Sequence, residues 1–140
     1  MTERTLVLIK PDGVVRGLTG EILRRIEAKG YQLVAAELRL ADTGLLGAHY
    51  AEHVGKPFFP GVVSYMSSGP VLAAVIEGDQ VVAGWRSLMG ATDPTKAAPG
   101  TIRGDLGRDW GTNAIQNLVH GSDSDDAAAR EIGLWFPKLG

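Results

Sequence analysis

Apolar residues along this chain follow two spacings in turn. Leu6-Val7-Leu8-Ile9 is an unbroken apolar run closed by Pro11, the mark of a central strand covered on both faces. From Thr19 to Lys29 the period changes. Ile22, Leu23 and Ile26 fall on one helical face, Glu21, Arg24, Arg25 and Glu27 on the other, and Gly30 marks the stop. Tyr31 to Leu40 predicts a second strand, and the apolar run Val71 to Ile76 a third. Between them, Thr43 to His53 and Gly61 to Met66 predict a pair of helices. Asp79 is placed to cap a further helix with Val81, Val82, Trp85, Leu88 and Met89 inward and Gly90 at its end. Leu118-Val119 predicts a last short strand, and Ser124 opens a closing helix through Leu134. The order βαβ, helical pair, βαβ predicts an α+β fold. It is a ferredoxin-like (split βαβ) sandwich, a four-stranded antiparallel sheet with helices packed on one face. That fold hosts many chemistries and decides none.

The stretch from Ala91 to Gln116 shows neither period and is punctuated by Pro94, Pro99, Gly100, Gly104, Gly107 and Gly111. A loop this long in a compact domain is functional or disordered. Thr92, Arg103 and Asp105 within it, and a histidine just beyond it, favour function.

Length and charge narrow the classes. The 140 residues are expected to form one domain, 1–140, large enough to bury roughly two-thirds of the unfolded surface. The formal charge of -2 removes general attraction to nucleic acid or to an anionic membrane. With no cysteine, disulfides and thiolate metal sites are excluded. The early apolar run is too short for a signal peptide or a membrane span, so a cytoplasmic location is expected.

The richest chemistry lies in Asn117-Leu118-Val119-His120-Gly121-Ser122-Asp123. His120 ends a short apolar run, where a buried strand surfaces. A histidine there can be held in one orientation while one ring nitrogen stays open, which suits a nucleophile or a proton-transfer group. The alternative is a polar turn at a strand end. Two other segments weigh against it: Lys10-Pro11-Asp12-Gly13 at the end of the first strand, and the glycine-rich Pro99-Gly100-Thr101-Ile102-Arg103-Gly104-Asp105.

Together these segments resemble the nucleoside diphosphate kinases. The resemblance runs from about Thr5 to Phe136 and includes Lys56-Pro57-Phe58-Phe59, Ser68-Gly69-Pro70, Arg86 and Thr92-Asp93-Pro94 in family order. It implies that the γ-phosphate of a nucleoside triphosphate passes to a nucleoside diphosphate by a ping-pong cycle through a phosphohistidine at His120, with broad base specificity. The attacking atom would be Nδ1, with Nε2 held by Glu131 and Ser122 bridging; otherwise Glu131 is a solvated helix residue. Lys10, Arg86 and Arg103, with the Thr92 hydroxyl, would hold the phosphates, as phosphoryl transfer requires. Arg86 could instead be a surface group, and Arg103 could brace its own loop by pairing with Asp105. Phe58 would stack on the base with Val62 as an apolar wall; the alternative for Phe58 is core packing, a role for which Phe59 is the better candidate. Stacking tolerates any base. Lys10 and Asn117 would reach the sugar, and Tyr50 would support the site.

The resemblance also implies Mg2+ carried with the nucleotide phosphates, nucleoside tri- and diphosphates as partners, and a homohexamer, alternatively a homotetramer. The long loop becomes a nucleotide-covering loop. One segment departs from the family. Leu106 to Gln116 looks a few residues longer than usual, with Gln116 where many members carry arginine and Trp110 expected to anchor a surface excursion. No long C-terminal extension follows Trp135-Phe136-Pro137 to brace neighbouring subunits.

Three other readings compete. His49-Tyr50-Ala51-Glu52-His53 fits a His-x-x-Glu-His zinc-peptidase pattern but lacks a well-placed third ligand. A Ser-His-Asp hydrolase built from His120, Ser122 and Asp123 is disfavoured because residues this close in sequence do not form the relay. A nucleotide-sensing protein without turnover is disfavoured by the intact set Lys10, Arg86, Arg103, Asn117 and His120.

Overall fold

β1 (Thr2–Ile9) is flanked by β3 (Val71–Asp79) on one side and β4 (Val119–Gly121) on the other, and β2 (Gln32–Arg39) extends the sheet beyond β3. This computed structural model describes residues 2–108 and 116–139. The sheet order is β2-β3-β1-β4 with every pairing antiparallel, the split βαβ arrangement expected from the sequence. Leu6 to Ile9 and Val71 to Ile76 are buried without interruption, which explains why these central strands read as continuous apolar runs.

Seven α-helices are described: α1 (Pro11–Val15), α2 (Thr19–Ala28), α3 (Thr43–His49), α4 (Phe59–Met66), α5 (Val81–Met89), α6 (Ile102–Leu106) and α7 (Asp125–Trp135). Strand alternation splits the core in two. Val7, Ile9, Leu72, Ala74 and Ile76 pack with Ile22 and Ile26 of α2 and with Val81, Trp85 and Met89 of α5. Leu6, Leu8, Val71, Ala73 and Val75 pack with Leu46 of α3, Met66 of α4, and Ile132 and Trp135 of α7. Helices therefore cover both faces, not one. The inserted pair and the closing helix fill the second face, because strands apolar on both sides cannot leave one to water.

Other boundaries shift for local reasons. The expected helix Thr43 to His53 breaks at Tyr50 into α3 and a 3-10 turn over Ala51–His53. Gln80, in a left-handed conformation with φ 54, stands at the N-cap of α5, while Asp79 closes β3. Leu88 is only half-buried, at the edge of the first core. The last strand starts at Val119 because Leu118 has φ 69 and cannot join the ladder. The stretch expected to be irregular contains α6, whose N-cap Thr101 accepts from Gly104 N–H at 3.0 Å. The expectation for Trp110 lies outside the described residues, as does Gly111 of the long loop.

Candidate active site

β4 carries His120 alongside Leu8 of β1. Its backbone is fixed from the first core, where Trp85 Nε1–H donates to the His120 carbonyl at 3.1 Å. Gly121 is required there, since a Cβ would lie 2.6 Å from Trp85 Cδ1 and 2.7 Å from Met89 Cε. From the other face, α7 brings up Glu131. Ser124 starts that helix by accepting from Ala127 N–H, which sets the register of the carboxylate.

The Glu131 carboxylate defines the histidine. Its Oε1 lies 2.8 Å from His120 Nε2 and accepts from Ser122 Oγ–H at 2.8 Å, while its Oε2 lies 3.8 Å from an Arg130 nitrogen. Burial pushes the Glu131 carboxyl up, but its bonds and attraction to His120, with His49 and Ser122, outweigh that and hold it below the usual range. Burial likewise holds the His120 imidazole below the ordinary histidine value, against the pull of Glu131. An ionised carboxylate only accepts, so Nε2 of neutral His120 bears the proton and the lone pair sits on Nδ1. The ring is 19% exposed, enough for one edge to reach a ligand.

His49 forms a wall behind it. The two rings meet edge-on at 4.7 Å, and His49 Nδ1 accepts from Trp135 Nε1–H at 3.0 Å. Burial and then the neighbouring His120 push the His49 pKa down to about 3, so it stays neutral. Tyr50 packs edge-on against His49 at 4.6 Å, its hydroxyl pKa pushed up to about 12 by burial and by Glu131. His49 and His53 do not share a helix face, and Ser122 is buried and directed to Glu131. Neither the peptidase nor the hydrolase arrangement forms.

The cations converge from three elements. Lys10, at the end of β1, donates from Nζ to Asn117 Oδ1 at 2.9 Å, and Asn117 Nδ2–H donates to the Thr92 carbonyl at 3.1 Å. Burial, reinforced by Arg103, lowers the Lys10 pKa to about 8. Arg103 is buried and stitches three carbonyls, Asn117 at 3.1 Å, Gly90 at 3.1 Å and Val119 at 2.7 Å. Burial, and after it Arg86, pulls its pKa down to about 10. Asp105 is not its partner, because it accepts from Gly100 N–H and from Arg25 Nη1. Arg86 leaves α5 and meets Asp123 at 2.8 Å.

Lys10, Arg86, Thr92, Arg103, Asn117 and His120 all line one cavity of about 620 Å³, together with Tyr50 and Glu131. Phe58 and Val62 do not. Phe58 is 51% exposed with its ring against His53, and Val62 packs on the second core. Sequence reasoning missed His49, His53, Trp85 and the Asp123 partner of Arg86. The His-Tyr-Ala-Glu-His segment is the one sequence signal for the two histidines, and the zinc-peptidase pattern it fits points to a different chemistry.

Comparison with known proteins shows the family. The nucleoside diphosphate kinase family model matches residues 3–139. The nucleoside diphosphate kinase of Mycolicibacterium vanbaalenii is 62% identical over 138 residues, 98% of each chain. That of Saccharomyces cerevisiae is 61% identical over 137 residues, covering 98% of this chain and 87% of its own. Among solved structures, the halophilic nucleoside diphosphate kinase from Halobacterium salinarum in complex with CDP superposes with TM-score 0.90 at 53% identity. That match covers 97% of this chain and 88% of the other. An enzyme of the same name from Encephalitozoon cuniculi superposes with TM-score 0.89 at 42% identity, over 96% of this chain and 88% of its own. The chain therefore belongs to the nucleoside diphosphate kinase family, an enzyme family that moves phosphate between nucleoside tri- and diphosphates.

Proposed function

We propose that His120 carries the phosphate in two half-reactions. The Nδ1 lone pair attacks the γ-phosphorus of a bound triphosphate. The bond to the β–γ bridging oxygen breaks, its electron pair leaves with the diphosphate, and a phosphohistidine remains. A second diphosphate then attacks with a terminal β-phosphate oxygen, and the N–P bond breaks to restore neutral imidazole. The observation that carries this reading is the Glu131 carboxylate at 2.8 Å from Nε2 of a histidine that lines the cavity, which leaves Nδ1 as the nitrogen for attack. Glu131 keeps the ring in one tautomer and stabilises the positive charge that develops on attack.

Lys10, Arg86, Arg103 and the Thr92 hydroxyl hold the phosphate oxygens in this reading, and Lys10 with Asn117 reaches the sugar. Phe58 stacks on the base from the rim with Val62 beside it. No base edge is read, so purines and pyrimidines are accepted alike. Magnesium would arrive with the nucleotide and would supply part of the charge neutralisation that Lys10, Arg86 and Arg103 give the phosphates. The metal-capable cluster among the described residues, His49, His120 and Glu131, offers two imidazoles and a carboxylate, with His120 and Glu131 already hydrogen-bonded to each other. That donor set suits a softer ion better than magnesium.

The chain assembles as a homo-oligomer, a hexamer with a tetramer as the alternative, and works in the cytoplasm. The exposed Leu33 and Leu38 on edge strand β2, with Leu40 just beyond its end, favour association. No helix among the described residues is long and apolar enough to cross a membrane. A γ-labelled triphosphate given alone should label the chain, and unlabelled diphosphate added after its removal should recover the label as triphosphate. Transfer only when both nucleotides are present together contradicts the two-step cycle.

A further inference from the structure

Leu118 occupies a conformation that leucine avoids. Its φ is 69, and among the described residues only Gln80 shares a positive φ without being glycine. Val119 N–H donates back to the Asn117 carbonyl at 2.7 Å, so Leu118 is the centre of a γ-turn of the strained, left-handed kind. Glycine would relieve the strain, but the Leu118 side chain is fully buried in the first core. The turn must be held from outside.

The clamp is the β1–α1 junction. The Lys10 N–H donates to the Leu118 carbonyl at 2.7 Å, and the Asp12 carboxylate accepts from Leu118 N–H at 3.1 Å through Oδ2. The other Asp12 oxygen accepts from the Tyr65 hydroxyl, which orients the carboxylate from α4. α1 lies close against the turn, since a Cβ on Gly13 would approach the Leu118 carbonyl to 3.3 Å and Ile9 Cγ2 to 2.9 Å. Asn117 and His120, immediately before and two residues after Leu118, diverge from this turn. Asn117 goes toward Lys10 and Thr92, and His120 goes toward Glu131. Neither Asp12 nor Tyr65 lines the cavity.

We propose that Asp12, oriented by Tyr65, is a positioning residue for phosphotransfer that holds the left-handed turn at Leu118 and so aims Asn117 and His120. This rests on His120 as the phosphate carrier. Asp12→Ala should lower the rate of transfer at saturating nucleotide about tenfold or more, because a small misplacement of the nucleophile is costly. Asp12→Asn should recover most of it. Its amide oxygen still accepts from Leu118 N–H, and its NH2 can donate to the Tyr65 oxygen. Hydrogen exchange at the Leu118 amide should accelerate in Asp12→Ala and not in Asp12→Asn. A folded Asp12→Ala with saturating rate within twofold of wild type overturns the proposal, even if its melting temperature falls. Should that variant not fold, Asp12→Asn/Tyr65→Phe replaces it, since nothing then orients the amide. Its saturating rate should fall about tenfold below that of Asp12→Asn, and equal rates overturn the proposal. Failure of the phosphohistidine reading is separate. It shows as wild-type chain that turns over without acid-labile label, and the same saturating rates still judge Asp12.

Discussion

The Arg86 guanidinium rests on the Asp123 carboxylate, Nη1 to Oδ1 at 2.8 Å, at the mouth of the cavity that holds His120. Both side chains are substantially exposed, so the pair itself adds little stability. An incoming phosphate offers Arg86 a more highly charged partner. Arg86→Ala should therefore lower turnover about a hundredfold, because one preorganised cation is removed from the transferring phosphate. Its melting temperature should stay close to wild type. Turnover within a few-fold of wild type removes Arg86 from the phosphate clamp.

Arg103 should behave differently, although it carries the same charge. Its guanidinium satisfies the carbonyls of Asn117, Gly90 and Val119 from a buried position. Arg103→Ala should lose turnover and also destabilise the fold by about 2 kcal/mol or more, since each orphaned buried acceptor is costly. Arg103→Lys keeps the charge but not the planar fork, and it should recover only part of the stability. Denaturant unfolding checks both variants. Unchanged midpoints show that the carbonyls find other partners.

Two of the titrating groups that line the cavity, His120 and Lys10, predict a bell-shaped profile for kcat/KM, which reports the free enzyme. Attack needs neutral His120, whose pKa lies below the ordinary histidine value, so activity falls on acidification only below that range. Phosphate binding needs charged Lys10, whose cation is lost as pH rises through about 8, so activity falls on the alkaline side from there. Lys10→Arg should carry its charge to higher pH and move the alkaline limb upward. An alkaline limb that stays in place in that variant assigns it to another group.

Base tolerance follows from the proposed stacking on Phe58, an exposed residue whose ring lies against the cavity-lining His53. Adenine, guanine, cytosine and uracil or thymine diphosphates should be accepted within about tenfold of one another, because stacking without edge recognition discriminates weakly. Steady-state rates with each diphosphate decide it. A thousandfold preference, the order that edge recognition can reach, points to a hydrogen-bonding group that reads the base.

How much of this was legible depended on whether a residue's environment is local. The runs Leu6 to Ile9 and Val71 to Ile76 announced buried strands, and Ser124 announced α7, because burial and capping leave a sequence pattern. α1 left none. It has five residues including a glycine and two valines, and it exists because the strand end and the Leu118 turn pack against it. The left-handed Leu118 carries no sequence signal at all, since its conformation is imposed by Asp12 and Lys10 from more than a hundred positions away. In the site, the grouping of Lys10, Asn117, His120, Ser122 and Glu131 was expected from the family resemblance, while the residues alone left Glu131 open as a solvated helix residue. Bracing by Arg103 was the alternative to its phosphate role and was read through Asp105; it arises through three carbonyls, which no side-chain pattern encodes.

The central claim is that Glu131 holds Nε2 of His120 and leaves Nδ1 to take the phosphate. Incubation with triphosphate alone, followed by site mapping and 31P NMR of the intact chain, tests it most directly. The account predicts one phosphate per chain, lost in mild acid and kept in base, attached to Nδ1 of His120 and absent from His120→Gln. Phosphate on Nε2, on a serine, or persisting in His120→Gln contradicts it.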